Sequence, residues 1–145
     1  KENVFLSTDL ILGFPGEDEA DFNNSLELLK KTRPAYVHLF GFSPREGTKA
    51  FSFKPKVPER IRDLRLKQAK KISEEFNFDY RKNNIGNELN IIIEKINNNT
   101  YIGKSENYLN IEIETRKKLL KKNLYKIKVT SIDKNKNYGI LLKGD

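Results

Sequence analysis

Cysteine, methionine and tryptophan are absent from the 145 residues, and there is a single histidine. Without cysteine the chain forms no disulfide and offers no thiolate to a zinc ion or an iron–sulfur cluster. It also lacks an uncharged apolar run of roughly 18 residues and the basic and apolar segments of a secretory signal. We therefore expect a cytoplasmic protein without a membrane span. Because the sequence starts at Lys1 and has no methionine, we expect a segment of a longer protein.

Positive charge is concentrated in the second half of the sequence. Residues 1–80 carry 14 basic and 13 acidic side chains, a net charge of +1, whereas residues 81–145 carry 14 basic and 7 acidic ones, a net charge of +7. A positive field confined to one region is typical of a protein that binds a polyanion. Nucleic acid is the leading candidate and an anionic membrane surface the second. The alternative is that lysine merely keeps the protein soluble.

Apolar periodicity in the first half predicts a strand, a helix, a second strand and a long charged helix. The short connections imply a parallel pair of strands, and two strands alone do not close a sheet. We expect one domain at residues 1–81 and another at residues 82–145. The predicted elements are strands at Val4–Leu12 and Tyr36–Phe42, a helix between Glu17 and Pro34, and a helix over Pro58–Lys82 whose apolar stripe is Ile61, Leu64, Gln68, Ile72 and Phe76.

The second half alternates between apolar and polar residues, which is the period of half-buried strands. Leu109, Ile111 and Ile113, for example, are separated by Asn110 and Glu112. Five short strands in about sixty residues predict a small closed barrel of the OB-like kind. The predicted strands are 88–96, 100–104, 107–114, 124–133 and 137–143.

Two turns in the first half are candidate ligand sites. Gly13–Glu17 joins a strand to a helix, where glycine lets the backbone approach a ligand and free amides face it. Asp9 lies on the strand that leads there. Ser43–Thr48 follows the second strand, and Arg45 in this loop suits a carboxylate or phosphate. The plainer alternatives are a tight turn that requires glycine and a surface salt bridge; the lone His38 is better explained as a packed residue than as a metal ligand.

The basic half holds candidate nucleic-acid contacts in or beside its loops. Lysine and arginine neutralise phosphates, and an exposed tyrosine stacks on an unpaired base. A solvated turn without a ligand is the alternative. The candidates are Lys104, Asn107, Tyr108, Arg116, Lys117, Lys118, Lys121 and Lys122.

Several segments together resemble the radical-SAM methylthiotransferase family. They are STDLILGFPGE at residues 7–17, Asp21-Phe22, His38-Leu39-Phe40 and FSPREGT at residues 42–48. GKSENYL at residues 103–109 is similar to a segment of the RNA-binding TRAM domain of that family. The order and spacing cover nearly the whole chain. The resemblance is strongest to the branch that acts on threonylcarbamoyl-adenosine beside the tRNA anticodon; branches acting on isopentenyl-adenosine and on a ribosomal protein rank second and third.

The resemblance implies an α/β plus all-β chain, in which residues 1–81 are the last part of a radical-SAM, TIM-like barrel and residues 82–145 a TRAM-like barrel. The parent enzyme would use S-adenosylmethionine and two 4Fe–4S clusters, and this chain alone, without cysteines, should be inactive. Its partners would be the tRNA anticodon stem-loop and the preceding part of the same protein. The implied cofactor residues are Asp9, Gly13, Glu17, Ser43 and Arg45; the implied RNA-binding residues are Lys104, Asn107, Tyr108, Arg116, Lys117 and Lys118.

Two other classes of function stay open at this point. The chain would be a free-standing RNA-binding protein if residues 1–80 folded as a closed unit by themselves. It would be a structural domain if the β-barrel merely covered a catalytic part. No catalytic residue and no metal ligand is assigned within this chain under the methylthiotransferase resemblance.

Overall fold

The computed structural model describes residues 4–142, which contain seven strands and two α-helices. One compact unit comprises residues 6–77, and residues 78–142 form a second unit with Val4 and Phe5. The elements are β1 (Ser7–Leu12), α1 (Glu19–Thr32), β2 (Tyr36–Gly41), a short 3-10 helix (Lys49–Ser52), α2 (Glu59–Lys82), β3 (Glu88–Asn97), β4 (Thr100–Ser105), β5 (Asn110–Glu114), β6 (Leu124–Ile132) and β7 (Asn137–Leu141).

The predicted strand–helix–strand arrangement is confirmed in the first unit. β1 and β2 pair in parallel, from Ser7 opposite Tyr36 to Leu12 opposite Gly41. α1 begins at a capping box in which Asp21 N–H donates to the Asp18 carboxylate at 2.8 Å and Asp18 N–H donates to the Asp21 carboxylate at 3.3 Å. The buried core of the unit is Leu12, Phe22, Leu26, Leu29, Val37, Ala69 and Phe76.

Only one face of the β1–β2 pair is covered by the described residues. Leu12 and Val37 on that face are buried, whereas Ile11, Tyr36 and Phe40 on the other face are 53%, 43% and 50% exposed. Alternate residues of a strand point to opposite sides, so these three side chains share the open face. The sequence predicted a second strand covered on both faces, and a two-stranded sheet with helices on one side provides only half of that cover.

The buried stripe of α2 differs from the predicted one. Ile61 and Leu64 are 37% and 49% exposed, whereas Arg65 is 6% exposed and Ala69 is fully buried. The predicted stripe was therefore wrong in the first half of the helix, although Phe76 is buried as expected. A buried arginine is invisible to apolar periodicity, because its partner is a carboxylate on another element.

The second unit contains the predicted small barrel. Its five strands close in the order β3-β4-β5-β7-β6, with β5 and β7 parallel and the other pairs antiparallel. Alternating residues fill the interior, as the period of two predicted. The buried core is Leu89, Ile91, Ile93, Tyr101, Leu109, Ile111, Ile113, Leu119, Ile127 and Val129.

Close approach of the barrel walls explains one glycine. A Cβ atom on Gly103 would lie 2.7 Å from Ile91 Cδ1 and 3.1 Å from the Ile92 carbonyl oxygen, so a side chain there would displace Ile91 and press on the β3 backbone. The strand predicted over 107–114 starts later, at Asn110, because Ser105–Leu109 form a turn. The last strand ends at Leu141, and residue 143 of its predicted range lies outside the described residues.

Neither α-helix in residues 4–142 is both long enough and apolar enough to cross a membrane.

Candidate functional site

Glu17 closes the turn that follows β1. Gly13 has a φ of +77°, which favours glycine, and its N–H donates to Glu17 Oε2 at 2.8 Å. Glu17 Oε1 accepts from Arg65 Nη1 at 2.7 Å, and the two side chains are only 11% and 7% exposed. Both carboxylate oxygens of Glu17 are thus engaged within the fold, so this residue shapes the turn.

The loop after β2 lies beside this turn. Phe42 N–H donates to the Leu12 carbonyl at 2.8 Å, and the rings of Phe14 and Phe42 are 5.0 Å apart. A cavity of about 160 Å³ lies between the two segments, with Gly13 and Pro44 in its lining together with Arg62 of α2. The carboxyl ends of the two parallel strands therefore form one edge with a small cavity.

Ser43 and Arg45 reach solvent at this edge. Both residues are exposed, and the Arg45 guanidinium forms no ion pair with another residue in the range 4–142. The Arg45 carbonyl accepts from the Thr48 hydroxyl at 2.7 Å, which fixes the loop backbone and leaves the side chain available. Arg45 is consequently the cationic side chain of the predicted set that is free to receive an anion.

Asp9 is separated from that edge. It lies on the exposed side of β1 opposite His38 and lines a different depression, of about 300 Å³, beside Ser25 and Thr32. His38 packs between two rings, with centroids 4.6 Å from Tyr36 and 6.5 Å from Phe40. Among the described residues no group of three or more histidine, aspartate or glutamate side chains is arranged to hold a metal ion.

In the barrel, the Ser105–Leu109 turn carries two of the predicted RNA residues, Asn107 and Tyr108, and a third, Lys104, directly precedes it on β4. Tyr108 is 60% exposed, and Lys104 Nζ lies 5.3 Å from the centre of its ring. Asn107, by contrast, is 9% exposed and its amide is used internally, since Nδ2 donates to Asn84 Oδ1 at 2.8 Å and Oδ1 accepts from Ser105 Oγ at 2.7 Å. Asn107 therefore shapes the turn from inside.

The other three predicted RNA residues lie at the opposite end of β4. Arg116, Lys117 and Lys118 are exposed in the loop between β5 and β6, which is anchored by Leu119 at 1% exposure. The β4–β5 register places Lys104 opposite Asn110 at one end and Thr100 opposite Glu114 at the other. Four residues of strand span about 13 Å, so the two basic groups are distinct parts of one surface.

Two residues at the end of α2, the partly buried Tyr80 and the buried Arg81, support the barrel loops. Tyr80 OH donates to the Asn107 carbonyl at 2.9 Å, and burial raises the pKa of this phenol, so it remains a donor. Arg81 donates through Nε to Asn137 Oδ1 at 2.7 Å and through its two Nη atoms to three carbonyl oxygens, those of Asp133, Lys134 and Lys136. Burial lowers the pKa of Arg81, and the nearby Asp133 opposes that shift.

The chain is similar to three curated bacterial methylthiotransferases. A threonylcarbamoyladenosine tRNA methylthiotransferase of Aquifex aeolicus is 37% identical over 114 residues, 79% of this chain and 27% of that protein. The enzyme of the same name from Thermotoga maritima is 43% identical over 89 residues, 61% of this chain and 20% of that protein. A ribosomal protein uS12 methylthiotransferase of Clostridium perfringens is 35% identical over 103 residues, which are 71% of this chain and 23% of that protein. The chain belongs to the radical-SAM methylthiotransferase family.

The chain spans only about a fifth to a quarter of the length of these relatives. No protein-family model matches it. The 114 matched residues of the Aquifex relative exceed the length of either unit, so the similarity includes parts of both the strand–helix unit and the barrel.

Sequence reasoning missed the residues of α2 that hold the turn after β1. The stem of Arg62 packs over Gly13, where an added Cβ would lie 2.6 Å from Arg62 Cγ, and Arg65 pairs with Glu17. Tyr80, Arg81 and Asn84 were also missed. These residues were missed because their partners are more than twenty residues away in sequence, or because they are polar residues in a helix that looked uniformly charged. The single available signal was the acidic Glu17 just after a glycine turn.

Proposed function

We propose that this chain is part of a tRNA-modifying methylthiotransferase, acting on a hypermodified adenosine next to the anticodon. Residues 1–81 would supply the last part of a radical-SAM barrel and some of the S-adenosylmethionine pocket. Residues 82–145 would be a TRAM-like domain that binds the tRNA anticodon stem-loop. The proposal places the parent enzyme in the cytoplasm, where tRNA is modified.

The observation that carries this proposal is a similarity to named tRNA methylthiotransferases that is longer than either structural unit. A relation limited to the barrel would support an RNA-binding module alone. A relation that includes the strand–helix unit favours an enzyme whose catalytic and RNA-binding parts are contiguous in sequence.

The residues of the β1–β2 edge suit different aspects of a cofactor pocket. The chemistry supplied by bound S-adenosylmethionine is the formation of a radical. Ser43 and Arg45 are exposed beside the cavity and would bind polar groups of the cofactor, of which its carboxylate fits the Arg45 guanidinium. Gly13 and Glu17 would act by fixing the backbone of the turn. Asp9, on the open face of β1, would contribute from the substrate side.

The iron–sulfur clusters do not fit this chain by itself. Cluster ligands are cysteine thiolates in almost all cases, and none of the 145 residues is cysteine. We therefore assign no cluster ligand here, and the proposed reaction needs a longer parent protein.

The barrel would bind RNA through its exposed cations. Arg116, Lys117 and Lys118 stand together on one loop without an ion-pair partner among residues 4–142, and Lys121 and Lys122 follow in the same loop. Cations without an ion-pair partner are available to neutralise phosphates, which releases the counterions condensed on the nucleic acid. This loop is therefore the main electrostatic contact of the proposed tRNA handle.

A salt series tests the proposal on the whole chain. The affinity for an unmodified tRNA anticodon stem-loop is measured for the wild type, for the double variant Lys117→Ala/Lys118→Ala, and for the control Lys30→Ala/Lys31→Ala, which removes the same charge from α1. Log affinity falls as log salt rises, and we expect this fall to be less steep by about 1.5 in the barrel variant. The control should leave the steepness nearly unchanged.

The alternatives predict different results. Equal slopes for the wild type and both variants would favour a barrel with a structural role. Tight binding to ribosomal protein uS12 without binding to the stem-loop would favour the branch represented by the Clostridium perfringens relative. Failure to bind either partner at a salt concentration of about 0.15 M contradicts the proposal for this chain.

A further inference from the structure

Tyr108 has an unusual backbone at the tip of the β4–β5 turn. Its φ is +65°, in the left-handed region that non-glycine residues rarely adopt, and its side chain is largely exposed. Such a conformation persists only where the surroundings fix it, and it is found preferentially at functional positions. Here it directs a large aromatic ring into solvent, although burial would have been favourable for that ring.

A buried polar cluster holds this backbone in place. Ser105 Oγ donates to Asn107 Oδ1 at 2.7 Å and accepts from Leu109 N–H at 2.8 Å, while Tyr108 N–H donates to the Ser105 carbonyl at 3.0 Å. Asn107 Nδ2 donates to Asn84, which is fully buried. The turn is thus fixed on both sides of Tyr108.

The ring itself has two neighbours and no polar restraint. Lys104 Nζ lies 5.3 Å and the Phe5 ring 5.2 Å from its centre. The Tyr108 hydroxyl has no hydrogen-bond partner among the described residues. The ring is therefore held as an aromatic surface with the Lys104 ammonium over it, and the hydroxyl contributes nothing to its placement.

We propose that Tyr108 is a stacking platform for one unpaired RNA base, and that Asn107 is a positioning residue that does not touch RNA. Lys104 leaves the ring and binds the phosphate of the same or the next nucleotide when the base takes its place. This inference rests on the proposed RNA-binding function and specifies how one part of the surface works.

Physical chemistry favours an unpaired base over other ligands at this point. Every base has a π-face that stacks on tyrosine, whereas the faces of paired bases are covered by their neighbours in the helix. The ammonium of Lys104 provides the matching charge for the phosphate within one nucleotide of the ring. In a region whose net charge is +7, a polyanion with aromatic bases matches both features.

A fluorescent stem-loop tests the stacking directly. The anticodon stem-loop carries 2-aminopurine at one loop position at a time, and the complete chain is titrated into it. We expect quenching at one position for the wild type and for Tyr108→Phe, since the hydroxyl is unused. Tyr108→Leu should lose the quenching and bind about tenfold more weakly, with an unchanged salt slope because no charge is removed. Lys104→Ala should lower that slope by about 0.7.

Asn107→Ala separates positioning from contact. We expect it to weaken binding in the wild-type background and to have no further effect on affinity in the Tyr108→Leu background, because its contribution passes through Tyr108. Far-UV circular dichroism checks that each variant remains folded, and Asn110→Ala, on the exposed start of β5, is the matched control.

The outcomes distinguish the two proposals. If Tyr108→Leu binds as tightly as the wild type with the same quenching, the stacking platform is refuted while RNA binding stands. Additive losses for Asn107→Ala and Tyr108→Leu would show direct contact by Asn107 and overturn its positioning role. If the wild type shows no salt-dependent binding to any stem-loop, the proposed function fails and this inference fails with it.

Discussion

In the barrel every strand pairs with two neighbours, whereas among residues 4–142 β1 and β2 pair only with each other. The barrel interior contains five isoleucines, Ile91, Ile93, Ile111, Ile113 and Ile127, that are fully buried. The β1–β2 pair buries one face and leaves Tyr36 and Phe40 about half exposed. Closing a sheet removes its edges and completes its core, so the two units differ in how much of their stability is internal.

This difference bears on where function lies in each unit. The closed barrel buries its core with its own strands, so its outer surface is not required for burial. Its loops can therefore carry exposed cations and an aromatic residue with a strained backbone. In the open unit the chemistry-bearing turns lie at the carboxyl ends of β1 and β2, where parallel sheets place ligand groups. The four predictions below test this comparison. Each one removes or alters a side chain in one of the units and measures the change in the stability of the variant.

The largest expected effect comes from the barrel core. Ile111→Ala removes a fully buried side chain and leaves a cavity, so we expect a loss of about 3 kcal/mol in the free energy of unfolding. Phe40→Ala on the open face should cost less than about 1 kcal/mol although it removes a larger group, because that ring is half exposed. Urea unfolding of the whole chain, followed by circular dichroism, measures both. Equal losses would contradict the contrast between a closed and an open sheet.

Arg81 is expected to rank next. Arg81→Lys keeps the charge but cannot reproduce the bonds from three guanidinium nitrogens to Asn137 and to three carbonyls of the β6–β7 turn. Leaving one buried and three partly buried acceptors without these donors should cost about 2 to 3 kcal/mol. Lys82→Ala, at the exposed neighbouring position, is the control and should be nearly neutral. An Arg81→Lys variant as stable as the control would show that water replaces the guanidinium.

Two glycines of the β1–α1 turn form a matched pair in the open unit. Gly13 and Gly16 have φ values of +77° and +90°, but an added Cβ on Gly13 meets the Arg62 stem at 2.6 Å, whereas the space around Gly16 is open. We expect Gly13→Ala to cost about 2 kcal/mol and Gly16→Ala about 1 kcal/mol, the latter from backbone strain alone. Thermal unfolding of the two variants measures the difference. Equal costs would mean that Arg62 moves aside freely.

The sequence was sufficient to predict the element order and the closed barrel, because alternation and apolar periodicity report directly on burial. Periodicity failed for α2, where Arg65 is buried through an ion pair with Glu17, 48 residues away in sequence. It also failed to separate Asn107 from Tyr108. Both looked like loop residues, and only the three-dimensional structure shows that Asn107 points inward to Asn84 while Tyr108 points outward.

The candidate cofactor residues show the same limit. The sequence predicted each of the two turns as a ligand site, and the structure brings them together at Phe14 and Phe42. The sequence could not indicate that both carboxylate oxygens of Glu17 accept hydrogen bonds within the fold, whereas the Arg45 guanidinium forms no ion pair among residues 4–142. Hydrogen-bond partners that are distant in sequence leave no local pattern. Which of these residues contact a cofactor stays a prediction.

The smallest expected effect concerns Asp133 in the β6–β7 turn. Its carboxylate accepts from the N–H groups of Asn135 and Lys136, each at 2.7 Å, and from Tyr138 OH at 2.8 Å. The hydrogen bond from the backbone N–H of Asn135 lowers the pKa of Asp133 most, followed by the bond from Tyr138 OH. The hydrogen bond to Asp133 in turn raises the pKa of Tyr138. A lowered pKa means that the folded state binds the proton less tightly than the unfolded chain does.

The stabilisation by Asp133 is therefore complete above the pKa of an unfolded aspartate, about 3.9, and is lost as the pH falls through the lower pKa of the folded state. Asp133→Asn removes this dependence. We expect the variant to be slightly less stable than the wild type near neutral pH, with a difference that shrinks below about pH 4. Urea unfolding across this range measures it, with Glu114→Gln on the exposed end of β5 as the control. A difference that stays constant with pH would show that turn geometry, and not the charge of the carboxylate, provides the stabilisation. Because Arg81 of α2 also donates hydrogen bonds to this turn, that result would attribute the rigidity of the turn to Arg81.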